Sequence, residues 1–236
     1  MRPGTLYLIP VTLGGNNIAS VLPAHVVDTT RQLDTFIVEN EKTARQFLSL
    51  VKMSKPIREL NLLTLNEHTE SKELPALLEP LIHGHNVGVI SEAGCPGIAD
   101  PGADLVRLAH QKGIRVVPLV GPSSILLALM ASGLNGQRFS FLGYLPTEKG
   151  ERVQRLREVE KRSQQLQETQ IFIEAPYRNQ HVLQDVADTC HSSTRLCVAC
   201  NISLDDELII SKSIADWKKS PLPDLHRQPT VFLLLG

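Results

Sequence analysis

Five short runs rich in Leu, Ile and Val punctuate the first half of the chain: "TLYLIP" from Thr5, "TFIVE" from Thr35, "LNLLTLN" from Leu60, "NVGVIS" from Asn86 and "IRVVPLV" from Ile114. Helix-like patterns separate them: a stretch reaching about Leu33, then "EKTARQFLSLVK", "ESKELPALLEPLIHG" and "ADLVRLAHQKG". Strands that alternate with helices demand right-handed crossovers, and these give a mostly parallel sheet with helices on its faces. Gly84 and Gly113 stand where such helices close.

The character changes at "VGPSS". "SSILLALMASG" is apolar nearly all round and is expected to be buried. "RFSFLGYLP", "TQIFIEAP", "TRLCVACNI", "DELIIS" and "TVFLLLG" read as strands, and "SPLPDLHRQP" as the loop before the last of them. "EKGERVQRLREVEKR" reads as a charged helix with a thin apolar stripe at Val153, Leu156 and Val159, and "RNQHVLQDVADTC" as another helix. The fold class is α/β: two α/β domains with mostly parallel or mixed sheets, residues 1–120 and 121–236, divided near Val120 to Pro122.

Charge narrows the partners. Lys plus Arg number 24 against 25 Asp plus Glu, which speaks against a strongly cationic nucleic-acid binder but leaves room for a local patch. The longest apolar run, Ile125 to Ala131, falls far short of the ~20 residues of a membrane span. "MRPGTLYLIP" has no long apolar core and no cleavage-site pattern, so the expected location is the cytoplasm, with no membrane partner. Of the four cysteines, Cys197 and Cys200 form a "CVAC" pair on a strand, where positions three apart face opposite ways. No metal site is expected there; reduced core cysteines are.

The segment "SEAGCPGIADPG", residues 91–102, follows the fourth strand with three glycines and two prolines. In open α/β sheets ligands bind beyond the carboxyl ends of the strands. Glycine allows both left-handed backbone and close approach, so this segment reads as a cradle of main-chain groups. Asp100 is placed to cap the next helix, with Pro101 at its first position. A plain strand-to-helix connection would need only a few residues. Neither a G-x-G-x-x-G after the first strand nor a G-x-x-x-x-G-K-[ST] occurs, so the dinucleotide and P-loop readings lose their main support. "GPSS", with Ser123 and Ser124, supplies a second backbone-rich turn at a helix start.

"LNEHTE", "SEAGCPGIADPG", "IRVVPLVGPSSILLALMASGL", "RFSFLGYLP", "KGER" and "FIEAPYR" follow one another in order. This series resembles the tetrapyrrole methylase superfamily of S-adenosylmethionine-dependent methyltransferases. The match is closest to the branch that methylates the ribose 2'-hydroxyl of a cytidine in small-subunit ribosomal RNA. The resemblance implies two α/β domains, S-adenosylmethionine in a cleft between them, and a homodimer. It makes Gly94, Cys95, Pro96, Gly97 and Ile98 the cofactor loop, and Ser123, Ser124 and Ile125 a second contact. It adds Ile173 and Glu174, then Pro229 and Thr230, with Pro10 at the floor.

There are departures from the branch. "TLGGNN" stands for "TPIGNLxD", Glu39 to Lys42 for "EDTR", and Asn66 to Glu70 for "HEHNE". Tyr177 replaces the histidine of "EAPHR", and Cys200 to Glu207 lacks an arginine and a lysine of "RELTKxHE". The wider superfamily often has Gly-Asp-Pro where Gly94, Cys95 and Pro96 stand. Each lost cation removes a possible phosphate contact.

Transfer of methyl to a hydroxyl calls for a general base. Glu67, His68, Glu92 and Glu174 are the candidates, each at or just past a strand end. Arg178 could steer an anion, cap a helix or pair with Glu174, and His110 reads as structural. Lys149, Arg152, Arg155, Arg157, Lys161 and Arg162 on the charged helix read either as an RNA-facing patch or as a solvated face laced with ion pairs. The functional readings are methylation of ribosomal RNA or a diverged acceptor, methylation of a small molecule such as a tetrapyrrole, and a non-catalytic cofactor-binding module.

Overall fold

The computed structural model describes residues 2–236. The chain divides into two compact units, Met1–Ser123 and Ser124–Gly236, each with a five-stranded sheet.

In the first unit, β1 (Thr5–Ile9), β2 (Thr35–Val38), β3 (Asn61–Thr64), β4 (Val87–Ile90) and β5 (Arg115–Pro118) lie in the order β3-β2-β4-β1-β5. Every pairing is parallel, with Leu6 beside Val87 and Val116, and Phe36 beside Gly88 and Leu62. Such a sheet must be covered on both faces. On one face Ile9, Phe36, Val38 and Ile90 pack with α2 (Glu41–Val51) and the end of α1 (Ala24–Arg31). On the other, Leu6, Ile37, Val87 and Val89 pack with α3 (Leu74–Leu77), α4 (Glu79–Ile82) and α5 (Gly102–Gln111). The early crossovers therefore run over one face and the later ones over the other. Gly88 makes the first core possible: a Cβ there would stand 2.5 Å from Ile9 and 2.9 Å from Phe36.

One expected helix is broken. "ESKELPALLEPLIHG" forms two four-residue helices, α3 and α4. Pro80 has no N–H to donate and its ring meets the preceding turn, so one continuous helix cannot form. Both glycine stops take the Schellman form. Gly84 has φ 89° with His85 N–H donating to Pro80 O at 3.0 Å, and Gly113 has φ 68° with Ile114 N–H donating to Ala109 O at 2.9 Å.

The second unit has β6 (Phe139–Tyr144), β7 (Thr169–Ile173), β8 (Arg195–Cys200), β9 (Leu208–Ser213) and β10 (Thr230–Leu235) in the order β6-β7-β10-β8-β9. Only β6 and β7 run parallel, so this sheet is mixed. Phe172 stacks on Phe232 at 5.4 Å, and Leu156 of α7 (Lys149–Leu166) joins them with Val182, Leu183 and Val186 of α8 (Asn179–Thr189). Cys200 belongs to that core, and Cys197, an odd number of residues away on the strand, faces the other side. Trp217 in the short α9 (Ile214–Trp217) donates its indole N–H to Leu196 O at 3.0 Å.

Two expectations fail here. The apolar helix α6 (Ser124–Ser132) packs on β8, β9 and β10 through Ala128 and Leu129. Its other face is open, with Leu126 51% and Met130 79% exposed, because one sheet can cover only one side of a helix. On α7, Arg152 belongs neither to a solvated face nor to an RNA-facing patch. It is buried, with Nε 2.8 Å from Asp185 Oδ2 and Nη1 donating to Thr147 O at 2.6 Å. The apolar stripe of α7 is thus Leu156 and Val159, with Arg152 in the buried row and Val153 only half-buried. Arg155 follows the bland expectation and pairs with Glu158 at 3.2 Å in solvent.

Removing one member of a buried ion pair strands the other. Arg152→Ala is expected to cost about 3–5 kcal/mol, whereas exposed Arg155→Ala should cost under about 1 kcal/mol. Urea unfolding of the two variants checks this, and equal small losses would mean that Asp185 is satisfied without its arginine.

Candidate functional site

The first unit's helices change sides between β1 and β4, which are neighbours in the sheet. A crevice opens at such a switch point beyond the carboxyl ends of the strands. The glycine-rich loop leaves β4 into this crevice. Gly94 (φ 71°), Gly97 (φ 81°) and Ala99 (φ 60°) are all left-handed. For Ala99 that is a strained geometry which the surroundings must hold in place.

Three contacts do so. Val11 N–H, just past β1, donates to Gly94 O at 2.9 Å. Asp100 Oδ1 accepts from Gly97 N–H at 2.7 Å and Gly102 N–H at 2.9 Å, so it ties the loop to the first turn of α5. Pro101 stands just before that helix, one position earlier than its expected first place. Cys95 Sγ lies 3.3 Å from Pro122 O; burial pushes this thiol's pKa up, so it stays protonated and can donate. Pro10 is buried against Gly121, where any Cβ would collide with the proline ring. Pro10, Gly94, Cys95, Gly121 and Pro122 are therefore brought together, while Ile98 is 53% exposed beside open space at Gly97.

In the second unit, Ser124 and Ile125 open α6 and are half-buried. Ile173 pairs with Val231, so Ile173, Glu174, Pro229 and Thr230 come together at one end of β7 and β10. Glu174 is buried. Its Oε1 accepts from Ala175 N–H at 2.7 Å and pairs with Arg178, so Arg178 is held as a partner of Glu174. Its Oε2 has no hydrogen-bond partner. Glu67 and His68 lie in solvent, 3.7 Å from each other. His110 sits exposed in the last turn of α5. The four cysteines are free thiols, and burial raises Cys190 to about 12 and Cys197 to about 11.

A cavity of about 180 Å³ adjoins the crevice, between the loop after β1, the end of β4 and one face of α2. Thr12, Asn16, Thr43, Gln46, Ser91 and Glu92 supply its polar side chains over an apolar floor at Phe47. Glu92 Oε1 accepts from Thr43 Oγ at 2.5 Å. Of the four acid–base candidates, Glu92 lines this cavity and the other three do not. Thr43, Gln46, Phe47 and Leu50 fall at i, i+3, i+4 and i+7, one half-polar stripe of α2. Gln46 is exposed and Thr43 half-buried, so beyond that spacing the sequence carried no signal for this wall.

The strand ends are acidic. Burial raises the Glu39 pKa first, and the charges of Glu92, Asp100 and Glu67 raise it further. Burial likewise raises Asp100. Such an end suits a positively charged group and repels anions.

A doubly wound sheet with a main-chain cradle at its switch point, followed by a mixed sheet, defines a two-unit α/β protein built to present backbone to a small ligand. The sequence profile of the Tetrapyrrole (Corrin/Porphyrin) Methylases matches residues 6–217. The chain belongs to that family and is a methyltransferase. It is 31% identical over 230 residues to ribosomal RNA small subunit methyltransferase I of Vibrio cholerae, covering 98% of this chain and 76% of that protein. It is 33% identical over 239 residues to the protein of the same name from Pseudomonas aeruginosa, covering all of this chain and 80% of that one. The solved methyltransferase CobJ superposes with a TM-score of 0.64 at 17% identity, covering 100% of this chain and 95% of that one. Uroporphyrin-III-C-methyltransferase from Thermus thermophilus gives a TM-score of 0.56 at 15% identity, with coverage of 98% and 92%. These two likenesses establish the fold. Among the described residues no helix is long and apolar enough to cross a membrane.

The raised pKa of Glu39 has a sign. The folded chain holds this proton more tightly than the unfolded chain, so the contribution to stability is full below the ordinary glutamate pKa. It is lost as pH rises through the folded value. Glu39→Gln should therefore stabilise the protein at pH 7 and lose that advantage near pH 4. Thermal midpoints at the two pH values measure it; an advantage that grew on acidification would contradict it.

Proposed function

We propose that the chain transfers methyl from S-adenosylmethionine to a ribose 2'-hydroxyl of small-subunit ribosomal RNA. The observation that carries this reading is the main-chain cradle at residues 94–98, side by side with a cavity holding the Glu92–Thr43 pair. The curated relatives, named as ribosomal RNA small subunit methyltransferases, support the choice of acceptor.

The residues present fit the cofactor. The loop offers backbone with open space at Gly97 and an exposed apolar face at Ile98. The carboxylates at the strand ends complement a sulfonium and an ammonium. In this reading Gly94, Cys95 and Ile98 hold the cofactor with Pro10 beneath them, and Ser123 adds a contact. Ser124, Ile125, Ile173, Pro229 and Thr230 are proposed as further contacts, each open to test alone. Held there, S-adenosylmethionine would supply an electrophilic methyl carried on a sulfonium. Glu92 would take the proton of the acceptor hydroxyl as its oxygen receives that methyl. Thr43 fixes one oxygen of that carboxylate and leaves the other for the acceptor hydroxyl. Positioning supplies the rest.

The acidic strand ends also weigh on the alternative. Tetrapyrroles that bear carboxylate side chains would meet like charge there, so a tetrapyrrole acceptor is the weaker reading. The exposed Leu126 and Met130 on α6 support self-association, and we read the working form as a homodimer in the cytoplasm, where ribosomal RNA is found.

Labelled methyl incorporation into small ribosomal subunits tests the activity, and calorimetry with S-adenosylmethionine tests the cofactor. Glu92→Gln should lower turnover by about 100-fold or more while leaving cofactor affinity unchanged. Full turnover in this variant would remove Glu92 as the base, and cofactor binding without transfer to any acceptor would leave a binding module. Met130→Glu should shift the particle from dimer to monomer in analytical ultracentrifugation; a wild-type monomer would sink the homodimer.

A further inference from the structure

The cavity beside β1 and β4 has a polar lining of an unusual kind for a protein that handles a polyanion. We propose that it is a nucleoside subsite, one that takes the uncharged hydrogen-bonding edge of the acceptor nucleotide and turns its phosphates away. This rests on the methyltransferase reading above and adds to it where the acceptor sits and which part of it enters.

Three observations carry the proposal. The first is place: Val11 and Thr12 continue the chain past β1, and Ser91 and Glu92 past β4, so the cavity adjoins the switch-point crevice of a parallel sheet. Its accessible volume is about 180 Å³, below the range of drug-sized sites, which suits one edge of a nucleoside rather than a whole nucleotide.

The second is the donor set. Asn16 and Gln46 each offer an amide with both donor and acceptor groups, Thr12 and Ser91 offer hydroxyls, and Thr43, whose hydroxyl donates to Glu92, offers an acceptor oxygen. This matches the mixed donor and acceptor edge of a nucleobase and the hydroxyls of a ribose. No lysine, arginine or histidine lines the cavity. The apolar floor at Phe47 can take the flat face of a base.

The third is charge. The cavity's one ionisable group is Glu92, and the charges of Glu67, Glu92 and Asp100 converge on Glu39 at the same sheet end. The one charged side chain that lines the cavity would repel a phosphate. Phosphate contacts normally dominate RNA affinity, so the backbone of an RNA acceptor must lie outside the cavity. Its target nucleotide must enter unpaired, edge first, as a base taken out of its stack would.

The test uses the full chain with isotope-labelled threonine and leucine methyl groups, cytidine as one probe and cytidine 3',5'-bisphosphate as the other. Cytidine should shift the Thr12, Thr43 and Leu50 signals. The bisphosphate should bind about tenfold more weakly in wild type, and Glu92→Gln should narrow that gap. Gln46→Leu should weaken cytidine about fivefold while its spectrum stays that of a folded chain. Equal or tighter binding of the bisphosphate by wild type would overturn the proposal, as would cytidine shifts confined to other residues or none at ~10 mM. Calorimetry with S-adenosylmethionine on the same sample keeps the two readings apart. Cofactor binding without nucleoside shifts sinks the subsite alone; absence of cofactor binding sinks the methyltransferase mechanism on which it rests.

Discussion

One carboxylate oxygen holds the central loop in shape. Asp100 Oδ1 accepts the N–H groups of Gly97 and Gly102 at 2.7 and 2.9 Å. Without it, an eleven-residue connection with left-handed turns at Gly94, Gly97 and Ala99 would have many conformations and little reason to choose one. The clamp has an electrostatic cost, because burial disfavours the charged form of Asp100 while the two N–H bonds favour it, and burial is the larger effect. A loop maintained against that cost is consistent with a site rather than a mere connection.

The same sheet end collects Glu39, Glu67, Glu92 and Asp100. For stability alone this is unfavourable, since like charges raise one another's pKa. For chemistry it is coherent. Under the proposed function, a cationic methyl donor would be attracted there, an anionic acceptor would enter by its neutral edge, and Glu92 would take the proton. Phosphate affinity, which an RNA acceptor needs, must then come from elsewhere on the surface. The overall charge of -1 is compatible with that division of labour.

The order of strands and helices was legible because buried parallel strands and amphipathic helices leave different periods in the sequence. The glycine-rich loop was legible because few connections need so much special backbone. What escaped the sequence was decided by neighbours. Pro80 split a helix whose apolar pattern ran through it. Arg152 looked like surface until Asp185, thirty-three residues on, met it in the core. The α6 pattern spoke of burial all round, yet one sheet could cover only one of its sides. The cavity wall on α2 was hidden because Thr43 and Gln46 look like any exposed helix positions until the loops after β1 and β4 face them. Glu67 and His68, attractive as a pair in sequence, lie in solvent.

The claim on which this account turns is that a pre-shaped backbone loop, held by Asp100, receives the cofactor. Amide hydrogen exchange across residues 91–102, with and without saturating S-adenosylmethionine, tests it most directly. The account predicts slowed exchange at Gly97 and Gly102 in the free chain, with further protection through the loop on saturation. Exchange at the rate of an unstructured peptide in the free chain, unchanged by the cofactor, would contradict it.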